Sequence, residues 1–110
     1  MSEAELLTFT LKYLKARKIF HWRMPLGAVI RTIGKRVIHC PSPIKGMPDI
    51  GGILPSGQFF ALELKSAKGK LSPEQTTWIN DINKNNGIAV VIRTTKELID
   101  FCNACDKLKL

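Results

Sequence analysis

Apolar residues at helical spacing open the chain and predict a first helix over residues 3–17. Ser2 and Glu5 match a capping box, in which each side chain bonds to the backbone amide of the other residue. One expected buried stripe recurs every three or four positions and consists of Leu7, Thr10, Leu11 and Leu14. Glu3 lies one turn before this stripe and in phase with it, whereas Glu5 does not.

Two more helices are expected in the second half of the chain. Ser72 and Thr94 are the candidate N-caps, and the sequence NNG at residues 85–87 should end the earlier helix. The expected buried stripes are Trp78, Ile79 and Ile82 in one helix, and Leu98, Phe101, Cys102 and Cys105 in the other. Cys102 and Cys105 have the spacing of half a zinc site. No second Cys or His pair accompanies them, so we expect both in the core.

Runs rich in β-branched and aromatic residues lie between the helices and predict strands. These runs are residues 19–24, a hairpin that turns near Gly34, and residues 49–54, 58–65 and 88–93. The last run is nearly all apolar, as expected for a strand covered on both faces. A helix precedes it, so a right-handed crossover should place it parallel to residues 58–65. The expected fold class is α/β, a mixed β-sheet flanked by helices in α-β-β-β-α-β-α order, in one domain over residues 1–110.

The charge balance adds an expected partner. The chain has 17 Lys and Arg residues against 9 Asp and Glu, a formal net charge of +8. This excess favours nucleic acid. We expect no membrane association, because no apolar run is long enough to span a bilayer and no amphipathic anchor is recognisable. The N-terminus has no signal-peptide pattern, so a cytoplasmic location is expected.

Candidate chemistry lies in the segments GMPDI, residues 46–50, and ELK, residues 63–65. Side chains alternate along a strand, so Glu63 and Lys65 should share one face and lie about 6–7 Å apart. If Asp49 begins the neighbouring antiparallel strand, its carboxylate can meet that of Glu63. Two adjacent carboxylates repel unless a cation such as Mg²⁺ bridges them. From spacing alone, the better interpretation is that Glu63 and Lys65 form an exposed ion pair and that Asp49 is a turn residue.

Several motifs, taken in order, resemble the VRR-NUC (virus-type replication-repair nuclease) family of the PD-(D/E)XK superfamily. They are an acid in the first helix, GMPDI, ELK, LSPEQTTW at residues 71–78 and GIAVVI at residues 87–92. The resemblance covers nearly the entire chain. It implies a restriction-endonuclease-like core and an endonuclease that hydrolyses DNA phosphodiester bonds with Mg²⁺ or Mn²⁺.

The resemblance also implies roles for residues of the two segments. Asp49 and Glu63 would be metal ligands. The carbonyl oxygen of Leu64 would complete the metal shell, and Lys65 would be the catalytic lysine, which positions or activates the attacking water.

Two further catalytic residues implied by the resemblance lie in helices. Glu3 matches the first-helix acid, and its phase favours it over Glu5, although the choice stays open. Gln75 matches the family glutamine, but it also fits a capping box with Ser72, so it could have both roles. Family members often carry Gln where this chain has Leu7, so a polar contribution from that position is missing.

The expected substrate is DNA. Basic residues near the two segments would contact its backbone, or would simply be solvated, and these are Arg23, Lys45, Lys68 and Lys70.

Small stand-alone family members resemble Holliday-junction resolvases, which implies a homodimer acting on branched DNA. Flap, nicked or linear DNA are alternative substrates, and a DNA-binding module with an inactive site is an alternative function. Residues 27–40 are a candidate dimer interface or an ordinary hairpin packed on its own core. Such a nuclease would suit a phage, which would place it in the host cell cytoplasm.

Overall fold

The fold is taken from a computed structural model that describes residues 1–24, 29–40 and 44–109, with the backbone alone for 29–33 and 38–40. The helices and strands of the described part are α1 Glu3–Ala16, β1 Phe20–Arg23, β2 Val29–Ile33, β3 Arg36–Cys40, β4 Ile50–Ile53, β5 Phe59–Leu64, α2 Pro73–Lys84, β6 Ile88–Ile92 and α3 Thr95–Lys107. In this part of the chain, α1 is followed by a run of strands, and α2 and α3 then lie on either side of the last strand in sequence.

The main sheet has four strands in the order β1-β4-β5-β6. The first three are antiparallel neighbours, and β5 and β6 are parallel, as the crossover rule predicts. Strands β2 and β3 form a separate hairpin that turns at Gly34, where φ is +61°. The main sheet and its helices therefore follow the α-β-β-β-α-β-α order. The mixed α/β fold is confirmed, and it is consistent with a restriction-endonuclease-like core.

The hydrophobic core lies between one face of the sheet and the helices α1 and α3. Phe60, Leu62 and Leu64 of β5 point into it, and Phe60 packs on Phe101 of α3 with ring centroids 5.8 Å apart. Helix α2 lies on the opposite face and contacts β6. Because the side chains of β5 alternate, Glu63 projects towards α2 and away from the core.

Side-chain caps fix the starts of the helices. Ser2 with Glu5 and Ser72 with Gln75 form complete capping boxes, as the sequence predicts. The hydroxyl of Thr94 accepts a bond from the Glu97 amide at 3.1 Å, which starts α3 at the expected residue.

The stripe of α3 is confirmed. Leu98, Cys102 and Cys105 are buried, and both cysteines are free thiols. Burial raises the pKa of the Cys102 thiol to about 11. These cysteines are core residues, in agreement with the sequence interpretation.

The stripe predicted for α1 is confirmed at Thr10 and Leu14, whereas Leu6 is buried in place of Leu7. The buried residues are Leu6, Thr10 and Leu14, while Leu7 and Leu11 are only half-buried. The three buried residues are spaced four positions apart and face the core. The sheet and α3 cover a narrower face of α1 than the apolar pattern indicates.

The predicted stripe of α2 is also less buried than expected. None of its residues is fully buried, and Trp78, Ile79 and Ile82 are half-buried. Strand β6 has helices on both faces but lies at an edge of the sheet, so within it only Ala89 and Ile92 are buried.

The predicted interface segment falls partly outside the described residues. Residues 27 and 28 lie outside them, as do the side chains of the predicted contacts Val29, Ile30, Arg31, Ile33 and Ile38. Lys35 and Arg36 are exposed, and Val37 is 71% exposed. No helix in the described part is both long enough and apolar enough to cross a membrane.

Candidate active site

The ends of β4 and β5 bring two acidic residues together. Ile50 pairs with Leu62 in the antiparallel register, so Asp49, one residue before β4, lies level with Glu63. The Oδ2 atom of Asp49 accepts a hydrogen bond from the backbone amide of Leu64 at 2.7 Å. This bond satisfies the amide where the ladder ends and fixes Asp49 against the end of β5.

Glu63 is the one charged residue buried within the described chain, with 3% of its surface exposed. Its Oε1 atom accepts a hydrogen bond from the side-chain amide of Gln75 at 2.9 Å. Its Oε2 atom is buried and has no hydrogen-bond partner among the described residues. An unpartnered buried carboxylate oxygen is costly, so this atom is a candidate for contact with a group outside the chain.

Gln75 combines the two roles that its sequence position left open. Its side-chain oxygen accepts from the backbone amide of Ser72 at 2.8 Å and completes the capping box of α2. Its side-chain amide is then free to donate to Glu63. The same contacts that start α2 therefore orient the buried carboxylate.

The electrostatics of the acid pair favour a cation. Burial, and then the charge of Asp49, raise the pKa of Glu63 to about 8, although the charge of Lys65 opposes this. Burial also raises the pKa of Asp49, against the effect of the Leu64 amide, and Glu3 adds to the rise. Two carboxylates that resist ionising together are stabilised by a positive charge between them.

The donor set fits a hard divalent ion with oxygen ligands better than an ion held by His and Cys side chains. Among the described residues, no group of three or more His, Cys, Asp or Glu side chains could hold a metal ion by itself. Asp49 and Glu63 supply two carboxylates. The Oε2 atom of Glu63 has no hydrogen-bond partner among the described residues, so it is available as a metal ligand. Mg²⁺ is commonly held by one or two carboxylates while it keeps several waters, so a pair of acids is enough for it.

Glu3 lies in the first turn of α1 and borders the site. It lines a cavity of about 220 Å³ together with Ala4, Leu7, Asp49 and Leu64. Glu5 instead bonds with Ser2 in the capping box. The structure thus brings Glu3, and not Glu5, next to Asp49, and Leu7 forms an apolar part of the same wall.

Among the described interactions of the predicted basic residues, only that of Lys65 reaches the acid pair. Lys65 directly follows β5, and its charge acts on both carboxylates. Lys45, Lys68 and Lys70 are exposed on the loops that flank the site. Arg23 is exposed at the end of β1, where it pairs with Ile50 in the ladder, and no described contact joins it to the acids.

Sequence reasoning missed how the loop before Asp49 is held. Gly46 has a φ of +82°, and a Cβ atom there would lie 2.5 Å from the backbone carbonyl carbon of Glu74. The indole of Trp78 donates to the carbonyl of Lys45 at 3.0 Å. Only glycine allows this approach to α2. The glycine in GMPD was the available signal, but Trp78 was assigned to the buried stripe only.

Comparison with known protein families gives a match over more than half of the chain. A model of the VRR-NUC domain matches residues 27–96 of the chain. The match includes Asp49, Glu63, Lys65 and Gln75, whereas Glu3 precedes it. No curated protein sequence and no solved structure gives a significant match.

Proposed function

The chain belongs to the VRR-NUC family, which groups nucleases of the PD-(D/E)XK superfamily, and we propose that it is a divalent-metal-dependent endonuclease that hydrolyses DNA phosphodiester bonds. One observation carries the proposal. Buried Glu63 and half-buried Asp49 form an acid pair, and one oxygen of Glu63 has no hydrogen-bond partner among the described residues. Two neighbouring acids whose joint ionisation is unfavourable fit a site that binds a cation and a phosphate.

Asp49, Glu63 and the carbonyl oxygen of Leu64 would hold Mg²⁺ or Mn²⁺. A bound divalent ion neutralises charge on the phosphate and lowers the pKa of a bound water. Gln75 holds the Glu63 carboxylate in one orientation through its 2.9 Å bond. Lys65, beside both acids, positions the attacking water and offsets the negative charge that develops during hydrolysis.

Glu3 supports the reaction from the wall of the cavity that it shares with Asp49. It is exposed, so its carboxylate accepts hydrogen bonds from waters at the opening of the site. The lysines on the flanking loops, Lys45, Lys68 and Lys70, contact the DNA backbone on either side. Arg23 extends this basic surface along the edge strand β1.

The proposed substrate is branched DNA, cut by a homodimer. A two-fold pair places two active sites in an arrangement that matches a four-way junction. Apolar side chains that a monomer leaves in water support self-association: Val37 is 71%, Phe20 65% and Ile53 39% exposed. Phe20 and Ile53 are paired neighbours on β1 and β4, so their side chains form one apolar patch.

Cleavage of labelled duplex, flap, nicked and four-way-junction DNA tests the proposal in Mg²⁺, in Mn²⁺ and in EDTA. We expect cutting with either metal, none in EDTA, and none by Asp49→Ala with metal present. Binding without cutting in both metals would contradict the enzyme assignment and favour an inactive DNA-binding module.

Light scattering tests the dimer separately. We expect about twice the mass of one chain, and paired nicks on opposing strands of the junction. A monomer that cuts linear duplex as well as junctions would contradict the homodimer and the branched substrate, while the nuclease assignment would stand.

A further inference from the structure

Arg93, a residue outside the predicted site, holds the loop that follows Lys65. It comes directly after β6 and is half-buried. One nitrogen of its guanidinium, NH1, donates to the carbonyl oxygen of Ser66 at 2.8 Å and to that of Gly69 at 2.6 Å. The Ser66 carbonyl also accepts from the Gly69 amide at 3.1 Å, which closes a turn. We call residues 66–70 the lysine turn, because it carries Lys68 and Lys70.

The lysine turn touches the candidate active site on two sides. A Cβ atom at Gly69 would lie 3.4 Å from Oε1 of Glu3 and 3.4 Å from Cδ of Lys65. The space beside the α-carbon of Gly69 is therefore bordered by Glu3 on one side and by Lys65 on the other. Any shift of this turn changes the wall against which the Lys65 side chain lies.

The guanidinium is committed to this turn. In the described parts of the chain, the ion pairs are Arg17 with Asp106 and Lys96 with Asp100, and neither includes Arg93. Its two hydrogen bonds go to backbone carbonyls. A charged donor gives stronger hydrogen bonds than a neutral one, and the planar guanidinium fixes their directions.

We propose that Arg93 is a positioning residue for the nuclease reaction. It holds the lysine turn against Lys65 and Glu3, and it thereby sets both the direction of the Lys65 side chain and the position of Lys68 and Lys70. This inference rests on the proposed function. Arg93 contacts neither Asp49 nor Glu63 in the described structure, so its effect should leave metal binding unchanged.

Steady-state cleavage of junction DNA by Arg93→Ala tests the effect on Lys65. We expect kcat to fall roughly 10- to 100-fold, as expected when a reacting group is misplaced. Metal affinity measured by calorimetry should equal that of the native protein. Millimolar guanidinium should restore part of kcat in Arg93→Ala, and Arg93→Lys should keep more activity than Arg93→Ala.

Arg17→Ala is the matched control, because Arg17 is also half-buried and ties α1 to Asn103 and Asp106 of α3, at the other end of the molecule. It should lower thermal stability and leave kcat unchanged. Gly69→Ala tests the turn from the opposite side, because its methyl group would lie 3.1 Å from the Ser66 hydroxyl within the turn and in van der Waals contact, at 3.4 Å, with Glu3 and Lys65. A native kcat in both Arg93→Ala and Gly69→Ala would overturn the inference.

A binding experiment separates this inference from the proposed function. DNA affinity is measured in Ca²⁺ for Arg93→Ala, Lys70→Ala and the double variant. If Arg93 positions the turn, Lys70→Ala should weaken binding several-fold in the native background and by less in Arg93→Ala. Additive losses would overturn the inference. A native protein that binds DNA but never cuts it would refute the proposed function, and the binding cycle would still decide the role of Arg93.

Discussion

The two faces of β5 differ in what they bury. Phe60, Leu62 and Leu64 lie between the sheet and the helices α1 and α3, and each is at most 3% exposed. The opposite face carries Glu63, equally buried but ionisable, beneath α2. Alternation along one strand thus places stabilising apolar area and a destabilising carboxylate within a few ångströms of each other.

The two faces of β5 contribute differently to the stability of the fold. Apolar burial on the first face contributes to folding without further partners. On the second face, Glu63 accepts a hydrogen bond from Gln75, and its neighbour Asp49 is a second acid that raises its pKa. A site that is unfavourable in the protein alone is a reasonable candidate for ligand binding, since strained or perturbed groups cluster at functional sites.

Removing the acids should give the largest effect on activity. We expect Asp49→Ala and Glu63→Gln each to lower the rate of DNA cleavage by at least about 1,000-fold, because a bound ion contributes several kcal/mol to the transition state. Circular dichroism should show a folded protein, since neither change opens the apolar core. Calorimetry that finds undiminished metal binding in both variants would contradict their role as ligands.

The same kind of change on the core face should act on stability. Phe60→Ala is expected to lower the free energy of unfolding by about 3–5 kcal/mol, through lost burial and the remaining cavity. Urea denaturation measures this, and activity should be expressed per folded molecule. A Phe60→Ala variant that stays fully stable, or that loses kcat while folded, would contradict the separation of stability and activity between the two faces of β5.

Lys65 lies at the end of β5 and should affect turnover only. We expect Lys65→Ala to reduce kcat by roughly 100-fold or more, the usual range for a residue that assists proton transfer. DNA affinity in Ca²⁺ and metal affinity should change little. Near-native cleavage would show that Lys65 only partners the acids electrostatically.

The acid pair should make the metal-free protein less stable as pH rises. Folded Glu63 keeps its proton up to about pH 8, whereas the unfolded chain releases it near its ordinary pKa of 4.5. The folded state therefore binds more protons in this window, and the free energy of unfolding falls as pH increases. One proton gives a slope of at most about 1.4 kcal/mol per pH unit.

Thermal melts in EDTA between pH 4.5 and 8 measure this slope. Glu63→Gln removes the titrating group, so most of the slope should disappear in that variant. Added Mg²⁺ or Mn²⁺ should raise the melting temperature at the upper end of the window. Identical slopes in the native protein and in Glu63→Gln would contradict the assigned pKa shift.

The smallest effects are expected from the exposed lysines. Replacing Lys45, Lys68 or Lys70 by Ala should each weaken DNA binding a few-fold and lower the slope of log affinity against log salt by about 1. Lys96→Ala is a suitable control because that lysine pairs with Asp100 on α3. If DNA affinity does not depend on salt, these lysines do not contact the backbone.

Local sequence signals predicted most of the fold. Ser2, Ser72 and Thr94 start helices through bonds to residues three positions away, so their roles can be read from the chain. The alternation in β5 separated Glu63 from Leu62 and Leu64, and strand order placed Asp49 beside Glu63. These features depend on neighbours along the chain or on one hairpin.

Only the tertiary structure decided how deeply Glu63 is buried, and that Gln75 caps α2 and binds Glu63 at once. It also showed that Arg93 reaches back to Ser66, 27 residues earlier. In α1, Leu6 is buried where the pattern predicted Leu7, and the pattern did not predict that Phe20 would be exposed. Burial and long-range hydrogen bonds depend on which segments meet after folding, and a periodic pattern specifies a face of a helix or strand but not the surface that covers it.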